Sequence, residues 1–185
     1  YMSKGSICIY NSTFEDNSAI YGGAIFVNEN LLEIYNSTFK NNVALMSGGA
    51  ITSSYRSTLI INNDSSFYKN KASFEGGAIY SIYASSSIFK SSFENNSAAA
   101  GGALFIDNST SVNISGNEFK NNSASMAGAI YSLVNSVSTI INNVYSGNSA
   151  IFTNDLLQTD RPYLFIGDGN YDMYLYNSSY TGELP

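Results

Sequence analysis

The chain has 185 residues, a mass of 20.0 kDa and a net charge of −6, and it contains no histidine. Its 8 Lys and Arg residues stand singly, which excludes a basic stripe for nucleic acid and a polybasic patch for anionic lipid. No apolar run reaches the roughly 20 residues that a membrane-spanning helix needs. We therefore expect one elongated domain with no nucleic-acid partner and no membrane span.

In chain order, each repeating segment opens with a strand. Aliphatic residues recur two positions apart, seven and five residues before a repeated aromatic, and this is the period of a strand with one buried face. The single cysteine, Cys8, lies in the first such segment, cannot form an internal disulfide, and is expected to be a small buried residue. The pairs are Ile7 and Ile9, Leu32 and Ile34, Ile60 and Asn62, Ser86 and Ile88, Val112 and Ile114, and Ser138 and Ile140.

The strongest repeat comes next, as an aromatic followed by Asn three residues later and Ala five residues later. Its aromatics are 25, 28, 26, 26 and 26 residues apart, a fixed period that indicates a solenoid. We predict that the aromatics lie in the core and that each Asn bonds the equivalent Asn one coil away. The six pairs are Phe14 and Asn17, Phe39 and Asn42, Phe67 and Asn70, Phe93 and Asn96, Phe119 and Asn122, and Tyr145 and Asn148.

A Gly-Gly-Ala-Ile or closely similar motif follows the first five aromatics and leads into another strand. If Ile25 and its equivalents point inward, then Phe26, Tyr80, Phe105 and Tyr131 form an outer aromatic row interrupted by Thr52. Exposed aromatic faces could bind sugar rings or pack against another chain. The reverse register would place the same rings in the core.

Three short strands in about 26 residues, with almost no proline and no helical pattern, predict an all-β, right-handed parallel β-helix of about six coils. We expect this solenoid over residues 1–154 and a non-repeat cap or junction over residues 155–185. The longer step from Phe39 to Phe67 predicts a bulge or longer loop near residues 54–64.

The paired F-x-x-N and G-G-A-[IL] motifs resemble the passenger repeats of chlamydial polymorphic membrane proteins. The resemblance covers about residues 7–154. It implies a secreted or surface-exposed β-helix that acts in adhesion or in a surface coat. It transfers no catalytic residue, because the shared motifs are structural.

Sequons for N-glycosylation are frequent. They become glycosylation sites if the chain enters a eukaryotic secretory pathway, whereas richness in Asn and Ser would also produce them without any modification. They lie at Asn11, Asn36, Asn63, Asn95, Asn108, Asn113, Asn121 and Asn177.

No catalytic residue, metal ligand or cofactor is predicted. Asp168, Asn170 and Asp172 have the spacing that opens a calcium loop, but a polar turn explains them better, since Met173 replaces the required Gly. Polysaccharide-active β-helices need clustered carboxylates, and only an accidental pair such as Asp107 with Asp155 is conceivable here.

The sequence therefore favours a non-enzymatic extracellular or cell-surface coat component or adhesin. A subunit of a filament formed by end-to-end stacking is the alternative, and a polysaccharide-active enzyme ranks third. The expected partners are the chain itself or other surface proteins and glycans.

Overall fold

A computed structural model describes residues 5–133, 138–152, 164–166, 173–176 and 179–181. These residues form 25 β-strands and, within the described ranges, no helix. The chain bends between successive strands and returns to the same side of the solenoid one repeat later, so that equivalent strands of neighbouring repeats pair in parallel. The fold is an all-β parallel β-solenoid, as the repeat predicted.

Four sheets, named A to D in chain order, form the sides of the solenoid. Sheet A contains β1 Ser6–Tyr10, β5 Leu31–Tyr35, β9 Thr58–Asn62, β13 Ser85–Phe89, β16 Ser111–Ser115, β20 Ser138–Ile141 and β24 Met173–Tyr176. Sheet B contains β2 Thr13–Glu15, β6 Thr38–Lys40, β10 Ser66–Tyr68, β14 Ser92–Glu94, β17 Glu118–Lys120, β21 Val144–Ser146 and β25 Ser179–Thr181. Sheet C contains β3 Ser18–Ala19, β7 Val43–Ala44 and β11 Lys71–Ala72, and it continues through bridges at Ser97 to β18 Ser123–Met126 and β22 Ser149–Phe152. Sheet D contains β4 Ile25–Asn28, β8 Ile51–Ser54, β12 Ile79–Ile82, β15 Leu104–Asp107, β19 Ile130–Leu133 and β23 Leu164–Ile166.

Each turn, here called a rung, thus has four sides where the sequence predicted three strands. The short strands of sheet C, which lie between the repeated Asn and the Gly pair, are the additional side. The six aromatics stacked from Phe14 to Tyr145 enclose five complete turns, slightly fewer than the predicted coils. The difference depends only on how the end rungs are counted.

The repeated aromatics form the centre of the core. From Phe39 to Tyr145 their side chains are at most 1% exposed, and adjacent ring centroids lie 4.8–5.3 Å apart along the whole column. Aliphatic side chains from sheets A and D complete the interior. Each large buried side chain contributes about 1.5–3 kcal/mol to folding. Because the rungs bury similar sets of side chains, each rung adds a similar stabilisation to the core.

The third rung accommodates its two additional residues at two different corners. Tyr55 and Arg56 are consecutive left-handed residues at one corner, and Asn63 and Asp64 are consecutive left-handed residues at the next. Both lie in or at the edge of the predicted 54–64 region. The predicted register of this strand was wrong, however: Ile61 pairs with Ile34 and is buried, because the insertion follows Ile61 and shifts Asn62 outward.

The two glycines of the repeat have different functions. Gly76 turns the chain at φ +63°, a left-handed conformation that costs glycine little. A Cβ atom on Gly77 would lie 2.0 Å from the carbonyl oxygen of Gly102 in the next rung, so this position permits close contact between backbones. In the fifth copy Ala127 occupies the first position and adopts φ +53°.

Part of the segment 155–185, expected to be a cap or junction, extends the solenoid. The strands β23, β24 and β25 pair in parallel with sheets D, A and B, respectively. The same stacking therefore continues past residue 154, and a separate cap within 155–185 remains a prediction.

Candidate interaction surface

The repeated asparagines stack at the corner between sheets B and C. From Asn17 to Asn122, each residue donates its backbone N–H and its Nδ2 to the Oδ1 atom of the next Asn in the ladder, at 2.9–3.1 Å. From Asn42 onward, Nδ2 also donates to the carbonyl of the aromatic one rung before, at 2.8–3.0 Å. The ladder thus ties the corner backbone to the aromatic column and satisfies its buried polar groups.

A second polar column, which the sequence reasoning missed, lies at the corner between sheets A and B. It consists of Ser12, Ser37, Ser65, Ser91, Asn117 and Asn143. The Ser91 N–H donates to Asn117 Oδ1 at 3.0 Å, and Asn117 Nδ2 donates to Asn143 Oδ1 at 3.0 Å. The missed signal is a Ser or Asn two residues before every repeated aromatic.

Six of the sequon asparagines share one backbone conformation. Asn11, Asn36, Asn63, Asn95, Asn108 and Asn121 lie at corners with φ between +44° and +57° and are exposed or half-buried. Asn is the residue that tolerates this region best after Gly. The geometry accounts for Asn at these positions whether or not the sites are modified.

The other two predicted sequons differ. Asn113 lies within β16, and its Oδ1 atom is buried. Asn177 lies outside the described residues. Among the corner sites, Asn36 donates from Nδ2 to Asn11 Oδ1 at 2.7 Å, so these two side-chain amides are hydrogen-bonded to each other.

The predicted aromatic row lies on the outer face of sheet D, because Ile51, Ile79, Leu104 and Ile130 face the core. Its members differ in exposure: Phe26 is 57% exposed and Phe105 is 8% exposed, while Tyr80 and Tyr131 are half-buried. Thr52 interrupts the row, is 1% exposed and donates to the Ser47 carbonyl at 2.9 Å.

Within the row, the rings stack on one another. Phe105 and Tyr131 are parallel within 4° at 4.8 Å, and Tyr80 is tilted by 35° at 5.5 Å from Phe105. Stacking covers the faces between neighbouring rings and turns their edges outward. The expected display of free aromatic faces therefore fits the isolated and exposed Phe26 better than the stacked rings.

Two carboxylates shape the electrostatics of this face. Burial, together with Glu75 and Asp107, raises the pKa of Tyr80 to about 12. Burial and Asp107 also raise the pKa of Tyr131. Glu75 accepts a hydrogen bond from Ser47 Oγ, and Asp107 Oδ1 accepts one from Asn108 Nδ2 at 2.9 Å. Both tyrosines are therefore neutral phenols at physiological pH, beside negative charge.

The outer face of sheet A carries a smaller group in its first rungs. Tyr10 and Tyr35 stack at 4.9 Å, and hydrogen bonding to Glu33 raises the pKa of Tyr35. Cys8 is exposed and donates from Sγ to Glu33 Oε2 at 3.1 Å, so its expected burial was wrong. It lies between two inward-facing positions of the strand and must therefore point outward.

The turns between sheets C and D carry exposed apolar side chains. Ile20, Leu45 and Phe74 are 59%, 61% and 49% exposed, respectively, and Tyr21 is 43% exposed. Backbone hydrogen bonds join these turns from rung to rung, for example from Met46 N–H to the Ile20 carbonyl. These turns contain no sequon asparagine, unlike the other three corners.

The predicted acidic sites cannot be placed. Asp155, the calcium-like segment from Asp168 to Asp172, and therefore the pair of Asp107 with Asp155 all involve residues outside the described ranges. Within those ranges, no group of three His, Cys, Asp or Glu side chains is arranged to hold a metal ion. The described residues also include no helix that could span a membrane.

A family model for the Chlamydia polymorphic membrane protein repeat matches residues 11–28, 36–54, 64–82 and 90–107. No curated protein and no solved structure matches the chain. Each matched stretch begins at the corner between sheets A and B and ends with a strand of sheet D, which leaves the sheet A strands between the matches. The fifth copy, with Ala127 in place of the first Gly, is not matched. Four rungs of this solenoid thus match the polymorphic membrane protein repeat, which is the family that the repeats of this chain resemble.

Proposed function

We propose that the chain is a non-enzymatic structural element of an extracellular or cell surface, acting as a coat component or adhesin. The repeat family consists of chlamydial surface proteins, which gives the coarse assignment to the surface. The observation that carries the proposal is that the matched repeats coincide with the rungs, so that the shared residues form the solenoid itself.

The distribution of polar groups supports a structural role. The fully buried amides of the Asn ladder, Asn42, Asn70, Asn96 and Asn122, form hydrogen bonds with one another and with the backbone. Such residues fix the shape of a rod and leave the outward positions of each strand free to vary. A rigid rod with variable outer faces suits a protein that displays binding surfaces.

The first test is location in the source organism. We expect protease treatment or antibody labelling of intact cells to reach the chain, and we expect enzymatic removal of N-glycans to lower its mass if corner sequons such as Asn36 and Asn95 are modified. Protection of the chain in intact cells, with labelling only after permeabilisation, would contradict the surface role. An unchanged mass would contradict glycosylation alone.

A filament subunit remains the second candidate, because equivalent strands pair in parallel from rung to rung and the same pairing could join two copies of the chain. In the first described rung, Ile7 is 48% exposed where its counterpart Leu32 is fully buried. Sedimentation that depends on concentration and is abolished by Ile7→Lys would favour stacking of copies. A monomer at all concentrations would reject it.

A further inference from the structure

The outer face of sheet D is acidic and aromatic in its middle rungs. Tyr80, Ile82, Phe105, Asp107 and Tyr131 point outward from β12, β15 and β19, and Glu75 borders them from the turn before β12. We call this the acid–aromatic face. Its two charged groups are both carboxylates.

Most basic side chains lie on sides of the solenoid other than sheet D. The described lysines lie on sheets B and C and at the corners beside sheet B, whereas Arg56 lies at the corner after β8. Within the described residues, Glu75 and Asp107 form no ion pair, while Lys40 pairs with Glu15 on sheet B. The acid–aromatic face therefore has negative charge that the described part of the fold does not neutralise.

The carboxylates of Glu75 and Asp107 lie on opposite sides of the paired Tyr80 and Phe105 rings. Glu75 precedes β12, and Asp107 ends β15, two residues after Phe105. Both lie close enough to Tyr80 to raise its pKa. Phe105 lies between the two carboxylates along the strand direction, and Ile82 lies beside Asp107, its register partner. These two side chains provide an apolar floor, and the neutral Tyr80 hydroxyl provides a hydrogen-bonding group.

This combination matches the side chains of lysine and arginine. Their methylene stems pack on apolar surface while the charged heads remain in water, and carboxylates bind those heads with charge-assisted hydrogen bonds. A neutral sugar would instead need free aromatic faces, which stacking covers at Phe105. The charge and the ring orientation therefore both favour a cationic partner.

We infer that the acid–aromatic face is a docking site for a basic polypeptide segment, whose Lys or Arg side chains extend over Ile82 and Phe105 to Glu75 and Asp107. The inference rests on the proposed surface role, because it names the chemistry of a partner for that role.

The test measures binding of a fluorescent oligoarginine peptide to the full chain by anisotropy, at about 0.15 M salt. Glu75→Gln with Asp107→Asn should weaken binding about tenfold. Glu94→Gln with Glu118→Gln removes the same charge from sheet B and should change binding less than about twofold. Ile82→Ser should weaken binding about threefold, because it removes the apolar floor without a change in charge. Circular dichroism of each variant verifies the fold.

Three results would overturn the inference: no binding by the unmodified chain, equal losses in the two double variants, or binding of a neutral oligosaccharide at this face that survives both charge changes. Equal losses would mean attraction by net charge only. These results are separable from the surface test, since a chain located on cells that ignores oligoarginine refutes this inference alone. A chain confined inside cells refutes the surface role whatever the peptide does.

Discussion

The solenoid contains two aromatic columns in register, one inside and one outside. The inner column runs without a break from Phe14 to Tyr145. The outer column on sheet D is interrupted by Thr52, and its rings range from 57% exposed at Phe26 to 8% at Phe105. Phe105 and Tyr131 in the outer column stack as closely as the inner rings do, at 4.8 Å, so stacking by itself does not explain the difference in continuity.

The difference follows from what surrounds each ring. An inner ring fills a closed space, so a small residue there would leave a cavity. An outer ring borders solvent, and Thr52 is accommodated there with its hydroxyl bonded to the Ser47 carbonyl. The inner column is therefore constrained by packing, whereas the outer column can vary in response to a partner.

Truncation of one ring in each column should give the largest contrast. Phe93→Ala should lower the free energy of unfolding by about 3–5 kcal/mol, because the cavity lies in the middle of the rod. Phe26→Ala should cost less than about 1 kcal/mol, since most of the ring is already in water. Urea denaturation followed by circular dichroism measures both. Similar costs for the two variants would refute the distinction between the columns.

The Asn ladder extends the contrast to polar groups. Asn96→Ala should cost about 2–3 kcal/mol, because it leaves the Asn70 donors and the Phe67 carbonyl buried without their partner. Its neighbour Asn95 is half-buried with φ +57°, and Asn95→Gly should change stability by less than about 0.5 kcal/mol. The same denaturation assay applies, and a neutral Asn96→Ala would mean that the ladder does not stabilise the corner.

A corner beside the outer column offers a stabilising change. Ala127→Gly should raise the free energy of unfolding by about 1 kcal/mol, because Gly relieves the left-handed strain at φ +53°. The matched control Ala129→Gly should lower it by about 1 kcal/mol, since Ala129 is buried without positive φ. Losses at both positions would show that the fifth rung has adapted to Ala127.

The smallest effect concerns pH and the outer column. Because the folded pKa of Tyr80, about 12, exceeds its ordinary value, the folded state holds the proton more tightly. The resulting stability is fully present below about pH 10 and is lost as the pH rises toward the folded pKa. Tyr80→Phe should therefore reduce the alkaline loss of stability. Unfolding free energies across this range measure it, and identical profiles for the two proteins would exclude Tyr80 as the responsible group.

Prediction from sequence succeeded for positions that recur at the same place in every repeat. The parallel stacking, the Asn corner and the inward Ile of the Gly motif follow from spacing that recurs five or six times. Prediction failed at Cys8, where the residue type favours burial but the alternation of the strand requires exposure, and in the rung where the repeat changes length. Cys8 faces outward between two inward residues, and the strand after Arg56 shifted by one because insertions can enter at any corner.

The sequence alone determined that this chain is a parallel β-solenoid with an aromatic core column and an amide ladder. A fixed period places equivalent residues next to one another in neighbouring turns, so their recurrence in the sequence is enough to predict their contacts. Only the tertiary structure decided that the outer rings cover one another and that Glu75 and Asp107 border them on opposite sides without an ion pair in the described fold. Glu75 and Asp107 are not part of the repeated motifs, so the sequence pattern does not identify them, and only the packing of neighbouring rungs shows that both lie near Tyr80.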